Sequence, residues 1–142
     1  MKHRSPLEDT ICSMLAECRR IAIVGLSEKP WRDSNRIARY LLDQGYDVVP
    51  VTPAAPEILG IKCYPDLASV PGPVELVNIF RRHEHIPAIV DLAIRSGARA
   101  IWMQLGLVDE VSAARARDSG LRVVMDSCIM VEHRRHFGGQ PD

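Results

Sequence analysis

Short apolar runs alternate with segments of helical periodicity along most of this chain. The runs predicted as buried strands contain few polar residues and lie at Ile21 to Gly25, Tyr46 to Val51, Val74 to Phe80, Ala100 to Gly106 and Arg122 to Ser127. Between them, apolar residues recur every three or four positions, which is typical of amphipathic helices. Such helices are predicted at Asp33 to Gln44, from His83 to Gly97, and at Val108 to Ser119.

This order of elements predicts an α/β protein. Strands that alternate with helices build a doubly wound, mainly parallel sheet, here of five to six strands, with helices on both faces. The 142 residues suit a single domain at 1–142, with an N-terminal helix within 1–19 and a flexible tail at 138–142. In that helix Ser5 is the predicted cap, and Leu7 and Ile11 belong to its apolar face. Because right-handed crossovers bring all strand ends to one edge, a ligand is expected beyond that edge.

The loop after the first strand is the strongest candidate for a phosphate site. Gly25 ends the strand where a side chain would crowd a ligand, and Ser27, Lys29 and Arg32 add a hydroxyl and two cations. The helix that follows presents free N–H groups at its beginning, which favour anions. Asp33 or Ser34 is expected to cap that helix. A solvated loop before a capped helix is the alternative, and the loop alone does not decide between them.

The second strand bears on the kind of nucleotide. A dinucleotide site usually has an Asp or Glu about 20 residues after its glycines, to bind the ribose hydroxyls. Here Val48 to Pro53 contains no acid. A phosphorylated ribose fits such a site better, because a carboxylate would repel it. NADP and coenzyme A both carry one, and the single glycine of the first loop weakens the case for NADP.

Two further strand ends carry polar side chains. Phe80 and Arg81 place an aromatic ring beside a cation, which suits a base or a chain bearing phosphate, although a core Phe80 with a solvated arginine is common. Gln104 is a polar residue in an apolar strand. It either bonds a neighbouring loop or points at a ligand, because buried polar groups need partners.

Catalytic constellations are sparse. His133 and His136 are three residues apart in a charged segment, but no Cys or Asp cluster completes a metal site, so a solvated tail is the expectation. Cys128 follows the last strand at the same edge, where a reactive thiol and an inert, buried one are both compatible with the sequence.

Composition limits the partners. Lys and Arg total 18, and Asp and Glu also total 18, so there is no bulk basic charge of the kind that attracts nucleic acid. No apolar run approaches the roughly 20 residues of a membrane span. The four cysteines form no CxxC pair, which favours reduced thiols and a cytoplasmic location.

Four stretches together resemble a known family. They read VGLSEKPWRDSNRIARYLLDQGYDVVPVTP, VNIFRR, WMQLG and DSCIMVEHRRHF. They look like the small stand-alone coenzyme A-binding proteins, which are related to the coenzyme A-binding domain of the succinyl-CoA synthetase alpha subunit. The resemblance spans about residues 6–137 and implies a three-layer Rossmann-like fold.

The resemblance also implies a set of ligand-binding residues. Those expected at the phosphates are Gly25, Ser27, Lys29, Pro30, Trp31 and Arg32. Those expected beside the ribose and adenine are Thr52 and Pro53. Those expected along the pantetheine arm are Phe80, Arg81, Gln104, Leu105 and Gly106.

The sequence therefore favours a module that binds coenzyme A or a short acyl-CoA and is non-catalytic by itself. The ligase and phosphohistidine domains of the larger relatives have no counterpart in these residues. An NADP-dependent oxidoreductase, or another nucleotide-binding enzyme, is the alternative. A third hypothesis is redox regulation, in which Cys128 forms a mixed disulfide with the thiol of bound coenzyme A. Protein partners are unknown, and the N-terminal helix could pack on its own sheet or in a homo-oligomer.

Overall fold

The computed structural model describes residues 4–138, whose centre is a sheet of five parallel strands. These strands are β1 (Arg20–Val24), β2 (Asp47–Val51), β5 (Leu76–Ile79), β6 (Ala100–Met103) and β7 (Arg122–Val124). Their order is β2-β1-β5-β6-β7. A separate antiparallel hairpin joins β3 (Glu57–Ile58) to β4 (Ile61–Lys62). The predicted doubly wound parallel sheet is confirmed.

Helices cover both faces of this sheet. They are α1 (Pro6–Glu17), α2 (Asp33–Asp43), α3 (Ile86–Ser96), α4 (Glu110–Asp118) and α5 (Ile129–Phe137). One apolar core contains residues of α1, α2 and α5 and alternate residues of the strands. The other contains residues of α3, α4 and a 3-10 turn at Leu67–Ser69. The alternation of strand side chains between two buried faces explains why the strands read as continuous apolar runs.

α1 begins where the sequence predicts. Ser5 Oγ accepts a hydrogen bond from the Glu8 amide at 3.1 Å, and Glu8 Oε1 accepts one from the Ser5 amide at 3.0 Å, which is a capping box. Ile11 is buried against the sheet. Leu7, which is predicted on the same apolar face, is 54% exposed and lies outside the core. The apolar face of α1 therefore packs on its own sheet, and its first turn extends beyond it.

The strand order reverses between β1 and β5, and this junction positions the candidate site. Val24 pairs with Ile79 in the register of the two strands. The Phe80 amide donates to the Val24 carbonyl at 2.8 Å, so the chains leave the sheet side by side at Gly25 and Phe80. Ligands of doubly wound sheets bind at such a reversal, because the two chains diverge there and leave a crevice.

The expectation of a solvated C-terminal segment is wrong for the residues before 138. Glu132 and His133 are only 8% and 5% exposed, because α5 packs beside α1 and α2. His133 Nδ1 lies 2.7 Å from the Tyr40 hydroxyl, and the His133 ring makes edge contacts with Tyr40 and Tyr46. Aromatic partners from other elements thus bury one face of a helix whose own sequence is mostly polar. Residues 139–142 of the predicted tail lie outside the described residues.

Because His133 is buried, the stability of the folded protein depends on pH. Burial lowers the pKa of His133 below its ordinary value of 6.5, and the positive charge of Arg19 lowers it further. The unfolded chain therefore binds this proton at a higher pH than the folded protein does. The stabilisation that depends on neutral His133 is present above pH 6.5 and is lost as the pH falls through the folded-state pKa. The free energy of unfolding, measured in urea, should therefore decrease as the pH is lowered from neutral to mildly acidic. We expect this decrease to be smaller in His133→Phe than in the wild type. Equal slopes would contradict this assignment.

Asn78 is an unpaired amide at the centre of the sheet. It lies in β5 between Ile23 and Trp102, is fully buried, and neither Nδ2 nor Oδ1 has a partner among the described residues. An unpaired buried polar group costs roughly 1–3 kcal/mol. We therefore expect Asn78→Val to raise the free energy of unfolding by about 1–2 kcal/mol in urea denaturation.

Asn35 provides the matched control for that prediction. It is also buried, but its Nδ2 donates to the Ser27 carbonyl and its Oδ1 accepts from Arg39 Nε. Asn35→Val removes both bonds and should lower stability by roughly 1–3 kcal/mol. A loss of stability in both variants would show that Asn78 has a partner, such as a bound water.

Candidate functional site

A groove of about 690 Å³ lies beyond the carboxyl ends of β1, β2 and β5. Four segments line it. They are the loop after β1 at 25–29, the beginning of α2 at 32–34, the end of β2 at 52–54, and the chain after β5 at 80–82. The groove is therefore centred on the strand-order reversal where the sequence places a ligand.

The loop after β1 is held open by hydrogen bonds to α2. The Ser27 amide donates to Ser34 Oγ at 3.0 Å, and the Ser27 carbonyl accepts from Asn35 Nδ2 at 2.8 Å. Ser27 Oγ in turn accepts from the Lys29 amide at 3.1 Å. This bonding sets the width of the loop, so that the backbone of residues 25–29 forms one wall of the groove.

The predicted cap of α2 is wrong, and the reason affects the site. Arg32 occupies the cap position without a side-chain hydrogen bond to the helix. Ser34 bonds the loop instead, and the Asp33 carboxylate contacts the Arg36 guanidinium. The first amides of a helix have no acceptor within the helix. At α2 those of Asp33 and Ser34 belong to residues that line the groove, where they favour an anion.

The groove carries an excess of positive charge, although the whole chain is neutral. Its basic side chains are Lys29, Arg32, Arg81 and Arg82, against the two acids Glu28 and Asp33. The Arg32 side chain makes no hydrogen bond or ion pair with another residue in the described range 4–138. Several cations around one helix N-terminus suit a ligand with more than one phosphate.

The wall formed by the end of β2 is polar but has no acid. Thr52 is buried, and its amide donates to the Tyr64 carbonyl at 2.7 Å. Its hydroxyl accepts from the Ala54 amide at 3.1 Å, which fixes the turn that carries Pro53. A nucleotide sugar against this wall meets no carboxylate.

A second cavity of about 470 Å³ adjoins the groove. The two share Asp33, Phe80 and Arg81, and the second cavity extends towards the ends of β6 and β7. Gln104 lies in its wall and accepts a hydrogen bond from the Ile129 amide, the first of α5, at 3.0 Å. Gln104 therefore bonds a neighbouring element, which is the first of the two alternatives that the sequence left open, and it also lines a cavity.

The structure distributes the predicted site residues over three places. Those that line the groove are Gly25, Ser27, Lys29, Arg32, Thr52, Pro53, Phe80 and Arg81. Gln104 and Leu105 line the second cavity, which Phe80 and Arg81 also border. Pro30, Trp31 and Gly106 line neither of the two. Pro30 borders a smaller cavity towards β3, Trp31 is 71% exposed, and the Gly106 amide donates to Asp126 Oδ1 at 2.7 Å.

Sequence reasoning missed several lining residues. Arg82 joins the groove directly after Arg81, and Glu28 joins it between two predicted residues. Both are next to predicted residues in the sequence, so their positions alone could have indicated them. Met130 and Val131, by contrast, reach the second cavity from α5, and no local pattern indicates that the helix returns there.

The described residues form neither a metal cluster nor a membrane-spanning helix. Among residues 4–138, no three His, Cys, Asp or Glu side chains come together as a metal site. Every helix in that range is too short or too polar to span a bilayer.

The open parallel sheet, with a basic groove at its strand-order reversal, defines a Rossmann-like α/β protein whose groove suits an anionic ligand. A family model described as "CoA binding domain" matches residues 19–134, which is most of the chain. The chain belongs to this family of coenzyme A-binding domains.

Individual relatives match this chain over most of its length. The uncharacterized protein YneT of Bacillus subtilis is 37% identical over 130 residues, covering 92% of this chain and 96% of that protein. The crystal structure of Prb, the PH1109 protein redesigned for binding, has a TM-score of 0.92 at 36% identity and covers 100% of this chain and 99% of its own. The apo form of a dinucleotide forming acetyl-coenzyme A synthetase 1 from Ca. Korarchaeum cryptofilum has a TM-score of 0.68 at 28% identity. It covers 76% of this chain, which corresponds to only 26% of the synthetase.

Proposed function

We propose that this protein binds coenzyme A, or a short acyl-CoA, in the groove, and that it acts as a binding module without a reaction of its own. The basic groove at the beginning of α2 is the observation that carries this proposal. Membership of a coenzyme A-binding family supports the identity of the ligand. The four cysteines are free thiols, which supports a location in the reducing cytoplasm.

The proposed pose follows the charges of the groove. The diphosphate lies at the first amides of α2, where Lys29 and Arg32 neutralise it. The phosphorylated ribose and the adenine lie against Thr52 and Pro53, because this wall contains no carboxylate to repel the 3′-phosphate. The pantetheine arm then passes Phe80 into the second cavity, whose wall includes Gln104 and Leu105.

Pro30, Trp31 and Gly106 line neither cavity, so the proposed pose gives them only secondary contacts. Lys29 Nζ lies 5.9 Å from the centroid of the exposed Trp31 ring, so Trp31 lies beside a residue that lines the groove. We propose that a bound nucleotide contacts Trp31 at this outer edge of the groove. Gly106 supports the Gln104 turn through its bond to Asp126 and is proposed to contact the pantetheine arm only through its backbone.

Calorimetry tests the ligand. We expect the protein to bind coenzyme A and acetyl-CoA, and to bind coenzyme A more tightly than dephospho-coenzyme A, because the basic groove attracts the additional charge of the 3′-phosphate. NADP is the discriminating control. Binding of NADP without binding of coenzyme A would replace this proposal by the oxidoreductase alternative. No heat with any of these ligands at millimolar concentration would remove the proposed site.

A further inference from the structure

The second cavity continues from the proposed nucleotide groove. Asp33, Phe80 and Arg81 border both spaces, so a ligand that fills the groove and extends past Phe80 enters the second cavity without crossing the protein. The wall of the second cavity is largely apolar and includes Leu105 and Met130. Such a wall suits an uncharged, flexible arm better than a second phosphate group.

Gln104 makes this cavity a place for a hydrogen-bonding ligand. The residue is only 5% exposed, and its Oε1 is occupied by the Ile129 amide. Its Nε2 has no acceptor among residues 4–138, although the side chain lines the cavity. Because Nε2 has no acceptor within the protein and belongs to a residue that lines the cavity, it is available to donate to a ligand carbonyl. The amide carbonyls of a pantetheine arm supply such an acceptor.

Cys128 lies in the wall of the same cavity. It is half-buried, immediately precedes the nine-residue helix α5, and is the residue next to Ile129, which bonds Gln104. The thiol is thus close to the positive end of the helix dipole, which stabilises negative charge. The other cysteines, Cys12, Cys18 and Cys63, are all buried, and burial raises the pKa of the Cys18 and Cys63 thiols. Cys128 is therefore the thiol that a ligand in this cavity would meet.

We propose that Cys128 is a thiol-exchange site that captures the sulfur of coenzyme A from its disulfide form. This rests on the proposed binding of coenzyme A in the groove. The Cys128 sulfur, having given up its proton, attacks one sulfur of the coenzyme A disulfide. The S–S bond of the reagent breaks, a bond forms between Cys128 and the bound half, and the other half leaves as a thiolate that takes up a proton. No further oxidant is needed, and attack by a free thiol reverses the step.

Intact-mass spectrometry of the reduced protein mixed with coenzyme A disulfide tests this site. We expect one adduct per chain, located on Cys128 by peptide mapping and removed by dithiothreitol. Pantethine has the same arm and disulfide but no nucleotide, so it should react at least about tenfold more slowly if the groove positions the reagent. Adenosine 3′,5′-bisphosphate, which has no thiol, should slow the reaction of coenzyme A disulfide by competing for the groove.

Matched variants separate this inference from the proposed function. Cys128→Ser should lose the adduct, whereas Cys63→Ser should keep it. An unmodified wild-type protein that binds coenzyme A, or equal rates with pantethine, would overturn the exchange site and leave the binding function intact. Failure of the wild type to bind reduced coenzyme A in calorimetry would overturn both.

Discussion

The Gly25→Ala variant is expected to lose about 2–5 kcal/mol of unfolding free energy and most of its ligand binding. Gly25 has a φ of 93°, a conformation that strains any residue with a Cβ. A Cβ there would lie 2.6 Å from the Phe80 carbonyl oxygen and 2.9 Å from Arg81 Cδ. The backbone after β5 would have to move, and with it the wall that the groove and the second cavity share. Denaturation in urea and calorimetry with coenzyme A measure the two losses.

Gly120 is the control for the strain at Gly25. Its φ is 89°, but a Cβ at this position meets no atom within 4 Å. Gly120→Ala therefore carries the conformational cost alone, roughly 1–2 kcal/mol, and should leave binding unchanged. If Gly25→Ala and Gly120→Ala lost the same stability and both bound coenzyme A normally, the close packing of β1 against the chain after β5 would not shape the site.

Arg32→Ala is expected to weaken the binding of coenzyme A by about 10- to 150-fold, which corresponds to 1.5–3 kcal/mol for a charged hydrogen bond to phosphate. Arg32 is exposed at the beginning of α2 and makes no other side-chain bond within residues 4–138. The substitution should consequently leave the free energy of unfolding, measured in urea, within about 0.5 kcal/mol of the wild type. Calorimetry at two salt concentrations measures the affinity and should show a smaller salt dependence in the variant.

Two variants control for the charge of Arg32. Arg117 is exposed on α4, which packs on the opposite face of the sheet, so Arg117→Ala removes the same charge away from the groove and should leave affinity nearly unchanged. Arg32→Lys keeps the charge but loses the planar guanidinium, and should bind with intermediate affinity. Equal effects of Arg32→Ala and Arg117→Ala would mean that the groove attracts its ligand only through the overall field of the protein.

Most of the fold follows from local sequence patterns. The strands could be located because both faces of the sheet are buried, which makes Ile21 to Val24 and its counterparts apolar throughout. The beginning of α1 could be located because Ser5 and Glu8 have the spacing of a capping box. Leu7 lies on the predicted apolar face yet is exposed, since periodicity gives the face of a helix but not where the sheet beneath it ends.

The remainder depends on contacts between distant residues. α5 looks solvated because its partners, Tyr40 and Tyr46, lie about 90 positions earlier in the chain. The position of the groove could be predicted from the strand ends. The capping of α2 could not be predicted, because Ser34 bonds Ser27 rather than its own helix. Trp31 follows Lys29 closely in sequence, yet it points into solvent, since the loop turns between them.

The central claim is that the beginning of α2 holds the phosphates of coenzyme A. A crystal structure of the protein with coenzyme A tests it most directly. We predict the diphosphate within hydrogen-bond distance of the Asp33 and Ser34 amides and of the Arg32 guanidinium, with the 3′-phosphate outside the reach of any carboxylate. A nucleotide bound elsewhere on the protein, or a groove filled by the protein's own side chains in the presence of saturating coenzyme A, would contradict it.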